Sequence, residues 1–156
     1  MSIDPAAHRT FAVDANNATW EILGKGLNEI SENDAEEMTR RAYAAAYHWQ
    51  RAAGTIPANE VRANWLLSRV WAVRQNGELA LHHARRCLTV CESAGLEDFD
   101  LAYAHEALAR SYAALGSAEQ ARHHLAIARD VPIASSEDRT LVEADLADEP
   151  WFGLGQ

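Results

Sequence analysis

The chain is poor in cysteine and in long hydrophobic runs, and each shortage excludes a class of protein. Among its 156 residues there are two cysteines, Cys87 and Cys91, four positions apart on one predicted helix. Stacked helical Cβ atoms lie about 5–6 Å apart, which is too far for a disulfide, so we expect reduced thiols. No window of 18 apolar residues and no signal-peptide pattern are visible, which predicts a cytoplasmic protein without a membrane partner.

Basic charge is scarce as well. The chain has 14 Lys plus Arg against 23 Asp plus Glu, which gives a formal charge of −9, and Lys25 is the only lysine. A surface of this sign repels a phosphate backbone, so nucleic acid is not an expected partner.

Strand-like patterns are also missing, because Val, Ile and Thr never form alternating runs. Alanine, a strong helix former, makes up about a fifth of the chain. The sequence therefore predicts an all-α fold. Its length is typical of one domain, which we place at residues 1–150, followed by a coil tail at 151–156.

Hydrophobic periodicity and helix stop signals divide the chain into seven helical stretches. The predicted helices are 5–23, 31–54, 57–77, 78–94, 101–115, 117–130 and 136–146. On the first of them, one face carries Phe11, Ala15, Ala18 and Ile22, and this face is expected to point inward.

Several of these helices repeat one another. His48, His83 and His124 fall at the same place in three similar segments, with spacings of 35 and 41 residues. The longer offset also pairs Leu67 with Leu108, so a whole helix pair is repeated, as in helical-repeat proteins.

The best copy of the repeat resembles a tetratricopeptide repeat, whose pattern alternates small and aromatic residues around a turn glycine. The matching positions are Ala109, Tyr112, Gly116, Ala121, Leu125 and Ala128. In the preceding, looser copy Gln75 takes the place of the turn glycine. The resemblance implies an array of three antiparallel helix pairs, closed by a capping helix at 136–146, and it says little about function.

Two helices of such an array present a polar and aromatic face that the core does not need. The residues of this face, at helical spacing, are Arg62, Trp65, Arg69, Tyr103, Glu106 and Arg110. Because arginine binds carboxylates bidentately, the face predicts a non-enzymatic module that binds a carboxylate-bearing peptide or protein partner along a groove. The alternative is that Arg69 and Arg110 pair with Glu60, Glu78 or Glu106 on a solvated surface.

A second hypothesis is a metal-binding protein. His83, Cys87 and Cys91 follow at i, i+4 and i+8, and this stripe could bind Zn²⁺ or Cu⁺ if His48 or His124 supplied a further ligand. The alternative is packing, since Cys87 takes a position where the repeat requires a small residue. No catalytic motif is visible, and no cofactor is expected.

Two aromatic residues, Trp151 and Phe152, lie in the predicted tail. They either fold back on their own chain or cover a second copy in a two-fold homodimer. We favour the homodimer.

Overall fold

Seven α-helices cover most of the chain in the computed structural model, which describes residues 2–155 and confirms the all-α prediction. Met1 and Gln156, the outer ends of the predicted domain and tail, lie outside the described residues. No β-strand occurs between residues 2 and 155, and none of the helices there is long and apolar enough to cross a bilayer. The helices are α1 (Pro5–Leu23), α2 (Glu32–Trp49), α3 (Pro57–Val73), α4 (Gly77–Ser93), α5 (Asp98–Ala114), α6 (Ala118–Asp130) and α7 (Ser136–Ala147).

Side-chain caps explain why several helices begin where they do. Ser31 Oγ accepts from the backbone N–H of Asp34, and the Asp34 carboxylate accepts in return from the N–H of Ser31, which forms a capping box before α2. The side chains of Asn76 and Ser135 likewise accept from backbone N–H groups in the first turns of α4 and α7. The fifth helix starts earlier than predicted, at Asp98, because carboxylates are stabilised in the first turn of a helix.

The helices pack as three consecutive pairs, α1 with α2, α3 with α4 and α5 with α6, and α7 lies against α5. The pairs stack because α2 contacts α3, α4 contacts α5, and α3 contacts α5 directly. This is the predicted array of three helix pairs with a final capping helix.

Small residues stand at buried positions of the paired helices, as the repeat pattern predicts. Ala80 and Cys87 on α4, and Ala121 and Ala128 on α6, are all completely buried. Because a small side chain lets two backbones approach, these positions determine how tightly each pair can pack.

The turn between the two helices of a repeat uses a left-handed residue in both good copies. Gly116 has φ +75°, and Gln75, which takes the glycine's place 41 residues earlier, adopts φ +59°. The repeat therefore keeps its backbone geometry where it loses the residue that favours it.

The first helix differs from the prediction. Its buried stripe is His8, Ala12, Ala15 and Thr19, whereas Phe11 is 46% exposed. The reason is packing, since α1 approaches α2 through small side chains and the bulky Phe11 ring stays at the side, near His48.

The chain after α7 is irregular but packed. Trp151 is 2% exposed and Leu154 is 9% exposed, and both belong to the apolar cluster between α5, α6 and α7. Trp151 also donates from Nε1 to the backbone carbonyl of Leu146 (3.0 Å). The side chain of Trp151 thus folds back on its own chain and is not available to cover a second copy. The homodimer itself remains a prediction.

Candidate functional site

The six residues predicted for a groove do lie on one face, formed by α3 and α5 and bordered by α1 and α7. We call it the inner face. The structure divides these residues into two groups. Trp65, Arg69, Glu106 and Arg110 are buried, while the side chain of Arg62 is 53% exposed and Tyr103 is half-buried.

Glu106 is the centre of the buried group, which we call the Glu106 cluster. Its Oε1 accepts from Arg110 Nε (2.5 Å) and from Arg69 Nη1 (3.3 Å), and its Oε2 accepts from Trp65 Nε1 (2.6 Å). A carboxylate that is 1% exposed is stable only with such donors, and hydrogen bonds from charged donors are the strongest available.

The arginines of this cluster also bind the chain's own C-terminal segment, residues 145–154. Arg110 donates from Nη1 to the carbonyls of Asp148 (2.8 Å) and Pro150 (2.9 Å), and from Nη2 to the carbonyl of Asp145 (2.9 Å). Its guanidinium lies 4.0 Å from the ring centroid of Trp151. These donors bind main-chain carbonyls at the end of α7 and in the irregular chain that follows it.

Arg69 holds the same segment from the neighbouring helix. Its Nη2 donates to a carboxylate oxygen of Asp148 and to the carbonyl of Glu149, both at 3.2 Å. The prediction of a carboxylate-bearing partner depended on Arg69 and Arg110, and both guanidiniums bind groups within the chain. Pairing with Glu106 was the alternative from the sequence, and it occurs in the interior rather than on a solvated surface.

The rest of the inner face is an open cleft of about 240 Å³ between α1, α3, α5 and α7. Its walls include Asn16, Trp20, Arg62, Trp65, Phe99, Asp100, Tyr103 and Asp145. Trp20 stacks on Trp65 with ring centroids 5.2 Å apart and is 40% exposed. This half of the face therefore presents aromatic rings to solvent.

Two polar pairs line the open cleft. Arg62 donates from Nε and Nη2 to both carboxylate oxygens of Asp100 (3.0 and 3.1 Å), with its guanidinium 5.1 Å from the Phe99 ring centroid. Tyr103 donates from its hydroxyl to Asp145 Oδ2 (2.5 Å). Burial raises the pKa of Tyr103, and the bond to Asp145 raises it further; burial also raises the pKa of Asp145.

The prediction did not include several residues of the cleft, among them Trp20, Phe99, Asp100 and Asp145. Trp20 lies on α1, which has no good copy in the repeat, so no offset pointed to it. Asp145 lies on α7, outside the repeated helix pairs, so no offset pointed to it either. Asp100 precedes the predicted helix 101–115, although it lies three residues before Tyr103, a spacing that places it on the same helical face.

The repeated histidines each bridge the two helices of a pair. Their ring nitrogens bond His8 with His48 (2.7 Å), Asn64 with His83 (3.4 Å), and His105 with His124 (3.1 Å). In the second and third pairs the bonded positions are equivalent, since both bonds join residues 19 apart and Asn64 lies 41 residues before His105. This supports the packing interpretation of the histidines.

The proposed metal ligands do not converge. His83 bonds to Tyr43 and Asn64, while the Cys87 thiol donates to the carbonyl of Val61 and the Cys91 thiol to that of Leu96. Within residues 2–155 no three His, Cys, Asp or Glu side chains lie close enough together to bind one metal ion. The separated residues are His48, His83, Cys87, Cys91 and His124. Burial also raises the pKa of Cys87, which disfavours the thiolate that a metal needs.

Comparisons of the chain with protein-family models, with curated proteins and with solved structures find no match. What the inner face can bind is therefore inferred from its own residues.

A first prediction compares two arginines of the inner face. Replacing Arg110 by Ala leaves the Glu106 carboxylate and several carbonyls of the C-terminal segment without their donor, so we expect a loss of about 3–5 kcal/mol of unfolding free energy. Arg62→Ala removes an ion pair whose arginine is half exposed, and we expect a loss below about 1 kcal/mol. Urea denaturation measures both values, and equal losses would contradict the role assigned to Arg110.

A second prediction concerns His83 and pH. Trp71 Nε1 donates to the Tyr43 hydroxyl, and His83 Nδ1 donates to Asn64 Oδ1. A neutral His83 ring then accepts at Nε2 from the Tyr43 hydroxyl. Burial, with smaller contributions from His82 and Arg86, lowers the pKa of His83 to about 4.

Between pH 6.5 and 4 the unfolded state binds a proton at His83 that the folded state does not, so stability falls as the pH falls through this window. The full loss is about 3 kcal/mol for this one group. We expect His83→Gln to flatten the dependence of unfolding free energy on pH by that amount. His82→Gln, at an exposed neighbour, serves as the control, and a slope unchanged by His83→Gln would refute the prediction.

Proposed function

We propose that this chain is a non-enzymatic interaction module of the tetratricopeptide type, which binds a segment of a partner protein on its inner face. The stacked helix pairs support the first part of the proposal, together with the small buried residues at the repeat positions, such as Ala80 and Ala121. Repeats of this kind expose one extended face for recognition.

The observation that carries the proposal is that the inner face already binds peptide backbone. Arg69 and Arg110 together donate to four main-chain carbonyls of the C-terminal segment, at Asp145, Asp148, Glu149 and Pro150. Every peptide has main-chain carbonyls. These contacts therefore show how the inner face can bind an extended segment.

The open cleft extends that binding surface beyond the C-terminal segment. A second depression of about 340 Å³ adjoins it, lined by Lys25, Leu27 and Val73 among others, and the two share Trp20, Trp65 and Asp145. Aromatic and arginine side chains are enriched among the residues that dominate binding energy at interfaces. A partner segment would therefore lie in the channel formed by the two depressions, beside the C-terminal segment.

A selection from a random peptide library tests this proposal on the full chain. We expect selected peptides to shift the indole N–H resonances of Trp20 and Trp65, and to bind Trp20→Ala at least tenfold more weakly, because the exposed ring forms the cleft wall. Tyr47→Ala removes a comparably exposed aromatic residue from α2 and should leave the affinity unchanged.

Two outcomes would contradict the proposal. One is a set of selected peptides that bind Trp20→Ala as tightly as the wild type. The other is a set whose resonance shifts map to α2, α4 or α6 rather than to the inner face.

A further inference from the structure

The open cleft contains two carboxylates and one cation. Both carboxylate oxygens of Asp100 accept from Arg62, through the two hydrogen bonds of a bidentate ion pair. Asp145 accepts at Oδ2 from the neutral Tyr103 hydroxyl. Arg69 and Arg110 lie near enough to lower its pKa, but in the described residues neither forms an ion pair with its carboxylate. Asp145 is half-buried and lines both depressions of the channel.

The chain's own Arg62 shows which side chain suits such walls. Its guanidinium bonds to the carboxylate of Asp100 and lies against the ring of Phe99. Asp145 shares the cleft with Trp20 and Tyr103, so a carboxylate and aromatic rings occur there a second time. Unlike Asp100, however, Asp145 has no cation of the described part of the chain paired with its carboxylate.

The net charge of the whole inner face is negative. The cations Lys25, Arg62, Arg69 and Arg110 face five carboxylates, and the excess is one negative charge; the carboxylates are Asp100, Glu106, Asp145, Asp148 and Glu149. The chain as a whole carries −9. Both charges attract a basic partner and repel an acidic one.

We propose that the open cleft binds an arginine side chain of the partner segment, with its guanidinium on Asp145 and against the ring of Trp20. This inference rests on the proposed function and names the chemistry of the partner. A planar, weakly hydrated guanidinium stacks on aromatic rings and binds a carboxylate at the same time. The volume of about 240 Å³ is smaller than a typical small-molecule site and fits one long side chain.

The test uses a peptide probe and its uncharged isostere. Acetyl-Gly-Arg-Gly-amide is titrated into the isotope-labelled full chain, and the same peptide with citrulline in place of arginine provides the comparison. We expect the arginine peptide to shift the Trp20 indole resonance saturably, with a dissociation constant on the order of millimolar. The citrulline peptide should bind at least tenfold more weakly.

Variants locate the contact. Asp145→Asn still accepts from Tyr103 but loses its charge, and we expect it to weaken the arginine peptide at least fivefold. Glu143→Gln removes an exposed charge from the same helix and should have no effect. Equal binding of the two peptides, or an Asp145→Asn variant that binds as well as the wild type, would overturn the inference.

The peptide library separates this failure from failure of the proposed function. Selected peptides that bind in the cleft without a basic residue, and that bind Asp145→Asn unimpaired, would overturn the arginine inference alone. A library that yields no peptide on the inner face would overturn both.

Discussion

A single buried carboxylate, that of Glu106, determines how the inner face is assembled. In the interior of α5 it needs donors, and Trp65, Arg69 and Arg110 supply them from two helices. Two guanidiniums around one carboxylate leave an excess of positive charge and several N–H groups without acceptors. The C-terminal segment supplies the missing acceptors, so its position follows from the needs of the Glu106 cluster.

This arrangement gives the two halves of the inner face different roles. The arginine half is closed by residues 145–154, and it contributes stability because its charges and hydrogen bonds are matched within the chain. The aromatic half stays open, and its walls include the 40% exposed ring of Trp20. Because Asp145 lies at the boundary, the hydrogen bond from Arg110 to its main-chain carbonyl also holds the residue whose carboxylate we assign to a partner arginine.

Local features of the sequence predicted most of the fold. Caps such as Ser31 and stop signals such as Gly116 depend on neighbouring residues, and the repeat offset of 41 aligned buried positions correctly even where Gln75 replaces a glycine. On α1 the prediction that Phe11 points inward is wrong, whereas Ala15 is buried and Ile22 packs partly buried against the core. Close packing of alanines outweighed the burial of Phe11.

The candidate site was less predictable, since it depends on contacts between distant parts of the chain. Charged residues at helical spacing are typical of a solvated face, and nothing near Arg69 or Arg110 indicates their burial. Their acceptors lie up to 80 residues away, as with Arg69 and Glu149. The sequence therefore identified which residues share the inner face, but not that the end of the chain covers half of it.

Hydrogen exchange of the Glu106→Gln variant tests this dependence most directly. The substitution keeps the shape of the side chain and removes the charge that Arg69 and Arg110 share. If the C-terminal segment is held in place through that charge, amide protection should fall first in α7 and residues 148–154, while α1 and α2 exchange as in the wild type. Unchanged protection of α7, or an equal loss across all seven helices, would show that Glu106 does not organise the inner face.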